Sequence, residues 1–381
     1  MQYNVITADN HIIEPPGTFV DRVPAQYKDA APRLVRGNDG GDGWSLDGSI
    51  PETTIGVGKG LGNVNPGMHI RTAPRGLRWE EVLPGNYDGA AHIKDMASDG
   101  IDAAVVYPQM VYQAYTTLKD RTLGLECLKA FNDWLLEDFC AADPKRLIGM
   151  NMIPWEHPIE VVTAELERIL KKGARALFLP YTTDPPLYAR YWDPMWQLIS
   201  DAGAVASIHL RFGAKRPAAP PVPEGTKPQW LAASNTVQGY FSAISPLTDL
   251  IFTGLFERFP TLKFVDAEVN MGWVPFWASM MEHVIRQHSY WLEMPEGFSP
   301  SSYLGKNVWV TALDDHEGFR LAREGNELVA KTGMFSIDYP HEITLFPNTQ
   351  KHLAELTAGL EPTVKHDLLA GNAVRVFNLN S

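Results

Sequence analysis

Cysteine is almost absent: Cys127 and Cys140 are the only two in 381 residues. Both fall in one segment of helical period, where a rise of about 1.5 Å per residue sets them roughly 20 Å apart. That is too far for a disulfide with each other. They read as small buried hydrophobes in a reducing compartment, and the cytoplasm is the expected location. Runs of positive charge are missing as well. The formal net charge is -12, and with no Lys/Arg-rich stretch neither nucleic acid nor an anionic membrane is an expected partner. No window approaches 18 uninterrupted apolar residues, and no charged leader with an apolar stretch opens the chain, so neither a membrane span nor a secretory signal is expected. A phosphate loop is lacking too. Gly56-Val57-Gly58-Lys59-Gly60 supplies glycines, but no strand precedes it and no Ser or Thr follows Lys59, which excludes the usual nucleotide cradle.

What is present is ordinary globular material, 45% hydrophobic and 20% charged, enough for a large core. From about residue 90 onward, short β-branched or apolar runs alternate with longer stretches of helical period, as βα units around a parallel sheet require. The runs are Tyr3 to Ala8, Ile101 to Tyr107, Leu147 to Ile153, Ala174 to Leu179, Ala204 to Leu210, Leu262 to Ala267, Asn307 to Thr311 and Met334 to Asp338. They predict an α/β chain folded as a single (β/α)₈ TIM barrel over residues 1–381.

Boundary signals support the helices between the runs. His157-Pro158 puts proline at a helix start, Val162, Leu166 and Ile169 form an apolar stripe, and Gly173 stands where a C-terminal cap belongs. Asp193-Pro194 repeats the device, with Asp193 as N-cap. Leu128, Phe131, Leu135 and Phe139 share one face of a helix expected from about Leu118 to Cys140. Residues 12–90, rich in Gly, Pro and Asp, break the alternation. They read as a long insertion between strands one and two, placed over the barrel mouth.

Active sites of such barrels are assembled at the C-terminal ends of the strands. Asp9 and His11 follow the first run, His209 ends the fifth, Glu268 follows the sixth and Asp338 ends the eighth. Residues two apart in an extended segment point the same way, so Asp9 and His11 can reach one ion. Two imidazoles with carboxylates suit a borderline divalent cation such as Zn²⁺, Mn²⁺ or Fe²⁺.

The chain resembles the amidohydrolase-related, metal-dependent barrel enzymes that include aminocarboxymuconate semialdehyde decarboxylase. The resemblance rests on Ala8-Asp9-Asn10-His11-Ile12-Ile13-Glu14-Pro15, Gly40-Gly41-Asp42, Ile208-His209, Leu255-Phe256-Glu257-Arg258-Phe259-Pro260, Gly272-Trp273-Val274-Pro275-Phe276-Trp277 and Ser336-Ile337-Asp338-Tyr339-Pro340-His341. It implies metal ligands at Asp9, His11, His209 and Asp338, with zinc first and manganese or iron as alternatives. It also implies a homo-oligomer. Two departures matter. The family's best-known decarboxylases carry a histidine where this chain has Glu268, and the wider superfamily's bridging lysine after strand four is missing from Leu177-Phe178-Leu179-Pro180.

These readings converge on a metal-dependent hydrolase or decarboxylase of a small carboxylated, cyclic or aromatic molecule, with Glu268 moving the proton. Arg211 would clamp a substrate carboxylate, and Tyr107, Gln109 and Asn270 would line the pocket. His283, on the helical segment after strand six, has packing as its default reading, as does His288. If His283 approaches Glu268, the pair would hold a second ion, as in relatives thought to be di-metal non-haem iron oxygenases. A third reading is a structural or regulatory subunit of low activity, paired with an active paralogue.

Overall fold

The computed structural model describes residues 2–55, 61, 65, 73, 75–210, 212–213, 222 and 224–379. Eight strands form one sheet in sequential order: Ile6–His11, Ala103–Tyr107, Leu147–Met152, Ala176–Phe178, Val205–His209, Lys263–Ala267, Val308–Ala312 and Gly333–Phe335. Every paired neighbour runs parallel. The strands are buried almost throughout, which is why they read as continuous apolar runs instead of alternating ones. Helices cover the outside. In Ile159–Lys171 the stripe Val162, Leu166 and Ile169 is buried as expected, together with Glu165, whose carboxylate accepts from Arg168 at 2.7 and 2.9 Å and from Asn132 at 2.9 Å.

The seam between the last strand and the first is crossed by residues beyond Phe335. The Asp338 amide donates to the Asp9 carbonyl at 3.0 Å, the His11 amide donates to the Tyr339 carbonyl at 2.6 Å, and the Ile337 amide donates to the Thr7 hydroxyl at 3.1 Å. The barrel is thereby nearly closed, and its two ends in sequence meet where Asp9 and Asp338 stand.

Four boundaries differ from the sequence expectation. The first strand starts later than Tyr3 and runs through His11, because its pairing with strand two continues to Asn10↔Val106 and His11↔Tyr107 after a register shift between Thr7 and Asn10. Asp9 and His11 are therefore inside the strand, not beyond it. The eighth ladder stops at Phe335, and Asp338 sits past it in a left-handed turn, φ 52°. Asp193 is the first residue of the helix Asp193–Asp201, not its N-cap, and its carboxylate pairs with Arg258 at 3.2 Å instead of capping an amide. The helix expected from Leu118 to Cys140 is regular over Arg121–Trp134 and then widens into a π-turn, Leu135–Phe139. Cys127 and Cys140 are both buried and free.

Between strands one and two lie a short helix, Gly17–Val20, a hairpin of Arg33–Arg36 with Asp42–Ser45, and the 3₁₀ turns Trp79–Glu81 and Pro84–Asn86. The tract Gly56 to Gly62 lies outside the described residues except Leu61. Glu14 fixes the start of this segment to the end of strand two. Its fully buried carboxylate accepts from the amides of Gln109, Met110 and Val111 at 3.4, 2.8 and 2.9 Å, at the N-terminus of the helix Met110–Thr117, where free amides and the helix dipole favour an anion. No helix among the described residues is long and apolar enough to cross a membrane.

Candidate metal centre

His11 and His209 are the last residues of strands one and five, and both are buried. Their Nε2 atoms face each other at 3.0 Å. Asp9 Oδ1 lies 3.3 Å from His209 Nε2 and 3.6 Å from His11 Nε2, and Asp338 Oδ1 lies 3.4 Å from His11 Nε2. The four residues expected from the sequence thus lie at one barrel end, in two groups that share His11. His341 joins them: its Nδ1 is 2.9 Å from Asp338 Oδ1, and its ring stacks on that of His11 with centroids 4.1 Å apart. Ligand atoms of Asp9, His11 and His209 lie within 4.8 Å of one another, as do those of His11, Asp338 and His341.

The carboxylates of Asp9 and Asp338 are both fully buried, and the nitrogens that approach them belong to the imidazoles of His11, His209 and His341. A buried carboxylate is costly unless a cation or donor balances it. Two such carboxylates facing two imidazole nitrogens fit a divalent ion. The His209 Nδ1 stands 3.3 Å from the Leu210 carbonyl, a contact that puts the ring proton on Nδ1 and leaves Nε2 as the ligand atom.

The electrostatics agree. Burial raises the Asp9 carboxyl above its usual range against the pull of the His209 charge. Burial, followed by the charges of His341 and His209, holds His11 well below the usual imidazole value. For His209 burial is again the largest effect and lowers the value, but the charges of Asp9, Glu268 and Asp338 outweigh it and lift the group to about 9. His341 is raised in the same way, chiefly by Asp338 against burial. Protons on His209 and His341 thus balance the carboxylates in the metal-free chain, a role that a bound cation would take over.

Glu268 follows strand six with φ 61°, its amide donating to the Thr311 hydroxyl at 2.8 Å. Left-handed conformations cost a non-glycine residue energy and cluster at functional sites, and here both Glu268 and Asp338 adopt one. Glu268 Oε2 is 3.8 Å from His209 Nδ1, and its side chain is 20% exposed where His209 is 1% exposed. Glu268 therefore stands on the open side of the centre. Burial, and next the Asp338 charge, push its carboxyl up to about 7.

Tyr107 ends strand two. Its hydroxyl shares a 2.8 Å hydrogen bond with Ser207 Oγ, and its ring lies 5.9 and 4.9 Å from those of His11 and His209. Gln109 is buried beside it, with an unpartnered Oε1. An aromatic wall leads outward: Phe212 packs 5.2 Å from His209 and 5.1 Å from Tyr112, which stacks on Trp155 at 5.7 Å. Tyr112 and Trp155 line a cavity of about 490 Å³ with Glu156, Pro180 and Thr182, in the loops after strands two to four.

Other expected residues are not gathered here. Asn270 also has φ 61°, and its Oδ1 accepts from the Leu313 amide at 3.2 Å, so it braces the loop. His283 lies in the third turn of the helix Val274–His288 and belongs to neither ligand group. Arg211 lies outside the described residues. Two groups escaped the sequence reading. His341 had a signal, since it stands three residues after Asp338 in a quoted motif. Asp266 and Tyr181 had none: the Tyr181 hydroxyl donates to Asp266 Oδ1 at 2.8 Å across the barrel interior, Asp266 Oδ2 has no partner, and burial raises the Asp266 carboxyl far above its ordinary value.

A family model described as Amidohydrolase matches residues 68–379. No curated protein matches. Among solved structures, the chain is similar to an amidohydrolase from Mycobacterium avium subsp. paratuberculosis K-10, with TM-score 0.72, 19% identity and coverage of 99% of this chain and 100% of that one. It is similar to 5-carboxyvanillate decarboxylase from Sphingomonas paucimobilis, with TM-score 0.64, 20% identity and 99% coverage of both chains. A dihydroxybenzoic acid decarboxylase from Polaromonas sp. JS666, whose structure holds manganese, has TM-score 0.58 and 16% identity, covering 100% of this chain and 98% of that one. At these identities the likeness is one of fold, and it extends over the whole chain.

Proposed function

The chain belongs to the amidohydrolase family, and we propose that it is a metal-dependent carboxy-lyase, or a hydrolase built on the same site, acting on a small aromatic or cyclic carboxylate. The observation that supports this most directly is the pair of buried carboxylates, Asp9 and Asp338, facing the Nε2 atoms of His11 and His209. A divalent ion held by these four residues would polarise a substrate oxygen or lower the pKa of water toward neutrality. Zinc and manganese both suit two nitrogen and two oxygen ligands. The missing lysine after strand four favours a single ion.

Glu268 is the proton carrier in this reading. A carboxyl raised toward neutral pH both gives and takes a proton at little cost. In decarboxylation the bond between ring carbon and carboxyl carbon breaks, its electron pair remains on the ring carbon, and the Glu268 proton moves to that carbon. Carbon dioxide leaves, and solvent reprotonates Glu268. In hydrolysis Glu268 takes a proton from the attacking water and passes it to the leaving group. Tyr107, Phe178 and Phe212 wall the centre from solvent, and Arg211, on the segment leaving His209, would meet the substrate carboxylate. The described part of the segment between strands one and two would act as a cover of the mouth, and the two free cysteines suit the cytoplasm.

The test is metal content per chain after purification without added metal, followed by carbon dioxide release from a panel of hydroxybenzoates with zinc or manganese restored. One equivalent and measurable release are expected. Two equivalents rich in iron would favour the di-metal oxygenase with Glu268 and His283, and a chain that takes up no divalent ion would overturn the reading.

A further inference from the structure

The four side chains expected to hold an ion, Asp9, His11, His209 and Asp338, are closed in at 0 to 1% exposed. Two of their neighbours are not. The side chain of His341 is 19% exposed and that of Glu268 20%. Among the described residues of this cluster, an imidazole and a carboxyl are thus what a molecule arriving from solvent can touch. Glu268 has a part in the proposed reaction. His341, which stacks on one expected ligand and faces another, has none in it.

The ring of His341 is fixed twice. Its Nδ1 stands 2.9 Å from Asp338 Oδ1, and its face lies on that of His11 with centroids 4.1 Å apart and planes 29° from parallel. The backbone is held as well: the His341 amide donates to the Asp338 carbonyl at 2.9 Å, and the His341 carbonyl accepts from the Thr344 amide at 3.0 Å. A ring held at one edge and one face leaves its other edge free. Nε2 has no hydrogen-bond partner among the described residues. A carboxylate oxygen beside Nδ1 places the ring proton there, so in the neutral imidazole Nε2 is an acceptor.

We propose that His341 is a specificity-determining residue, whose Nε2 accepts a hydrogen bond from a donor group, a hydroxyl or an amine, that the substrate carries beside its carboxylate. The inference rests on the reading of this barrel end as a metal site for a small carboxylate. An ether or carboxylate oxygen would bring only lone pairs to Nε2 and would be turned away. A ring locked by two contacts loses little freedom when it binds, which is what precise recognition requires. A site built to bond a substrate hydroxyl also rejects the analogue lacking it, because the acceptor is then left unpaired in a largely enclosed place.

Two substitutions separate this role from support of Asp338. In His341→Asn the amide overlies the Nδ1 edge, where it can still donate to Asp338, but it leaves the place of Nε2 empty. In His341→Gln the longer side chain returns a polar atom to that place. Calorimetric binding of 2-hydroxybenzoate and of benzoate to the metal-loaded full chain, with metal content measured for each variant, reads the difference. Wild type should favour 2-hydroxybenzoate, and the preference should shrink by about 10- to 100-fold in His341→Asn and recover in His341→Gln, at unchanged metal content. His341→Phe, which keeps the stacking on His11 and offers no polar atom, is the second variant if His341→Asn misfolds, with the same loss expected. Carbon dioxide release plays no part in this readout, so the proposed reaction can fail while the preference is found, and the reverse. A wild type that binds both probes equally or neither, an undiminished preference in His341→Asn, or loss of metal from that variant would each overturn the proposal.

Discussion

Glu268 and Asp9 are both carboxylates at the same barrel end, and their surroundings differ. Glu268 is open on one side and has a carboxyl near neutrality. As a proton carrier, its replacement in Glu268→Gln should leave the bound metal in place and lower kcat by roughly 10² to 10⁴. Metal analysis beside a steady-state assay checks this, and loss of an equivalent of metal would instead make Glu268 a ligand. Asp9 is closed in, with the Nε2 atoms of His11 and His209 at 3.6 and 3.3 Å from its Oδ1. In Asp9→Asn these imidazoles lose the carboxylate that faces them, so metal affinity should fall by orders of magnitude and the metal-free protein should also melt at a lower temperature than metal-free wild type. Calorimetry with and without chelator reads both effects; a variant that keeps wild-type metal affinity would refute the assignment. The place of Asp9 and Glu268 at the barrel end was legible in the sequence because both stand at the ends of apolar runs. Asp266 was not, because its significance depends on Tyr181, which meets it only across the folded barrel.

At the scale of elements, the first strand is pinned from behind by Asn10. Its Nδ2 stands 3.1 Å from His92 Nε2, and His92 Nδ1 stands 2.8 Å from the Gly85 carbonyl. Nδ1 must therefore donate and Nε2 accept, so the ring is neutral. Burial lowers its pKa from 6.5 to about 4. The unfolded chain binds this proton as pH falls below 6.5 and the folded chain does not until about 4, so stability is full above 6.5 and is lost on acidification through that window. The loss amounts to about 3 kcal/mol at 1.36 kcal/mol per unit. Urea midpoints from pH 7.5 to 4.5 should show a smaller acid loss in His92→Gln than in wild type. Equal slopes would dismiss His92 as a contributor.

For the whole molecule the candidate metal centre would be a cross-tie. Its four expected ligands come from strands one and five and from the turn after strand eight, joining parts of the chain more than 300 residues apart. An ion bound there stabilises only the closed barrel. Chelation should therefore lower Tm, and readdition should restore it in a concentration-dependent way. A ligand held at 100 times its Kd contributes about 2.7 kcal/mol. An unchanged Tm on chelation would mean that the ion is not integral to closure.

Local sequence determined the eight strands, most of the helices between them and the four candidate ligand types, because buried parallel strands are apolar runs and candidate ligands sit at their ends, both of which are properties of short segments. The boundaries that moved, at Asp9, His11 and Asp338, did so for a reason no short segment contains: the seam between strand one and the turn after strand eight, where Asp338 bonds to Asp9 and Tyr339 to His11. The same closure brought His341 onto His11 and kept His283 out of both ligand groups. Residue types and their order along the chain are encoded locally, whereas distances between strand ends exist only once the barrel has closed, and it is those distances that decide which side chains share an ion.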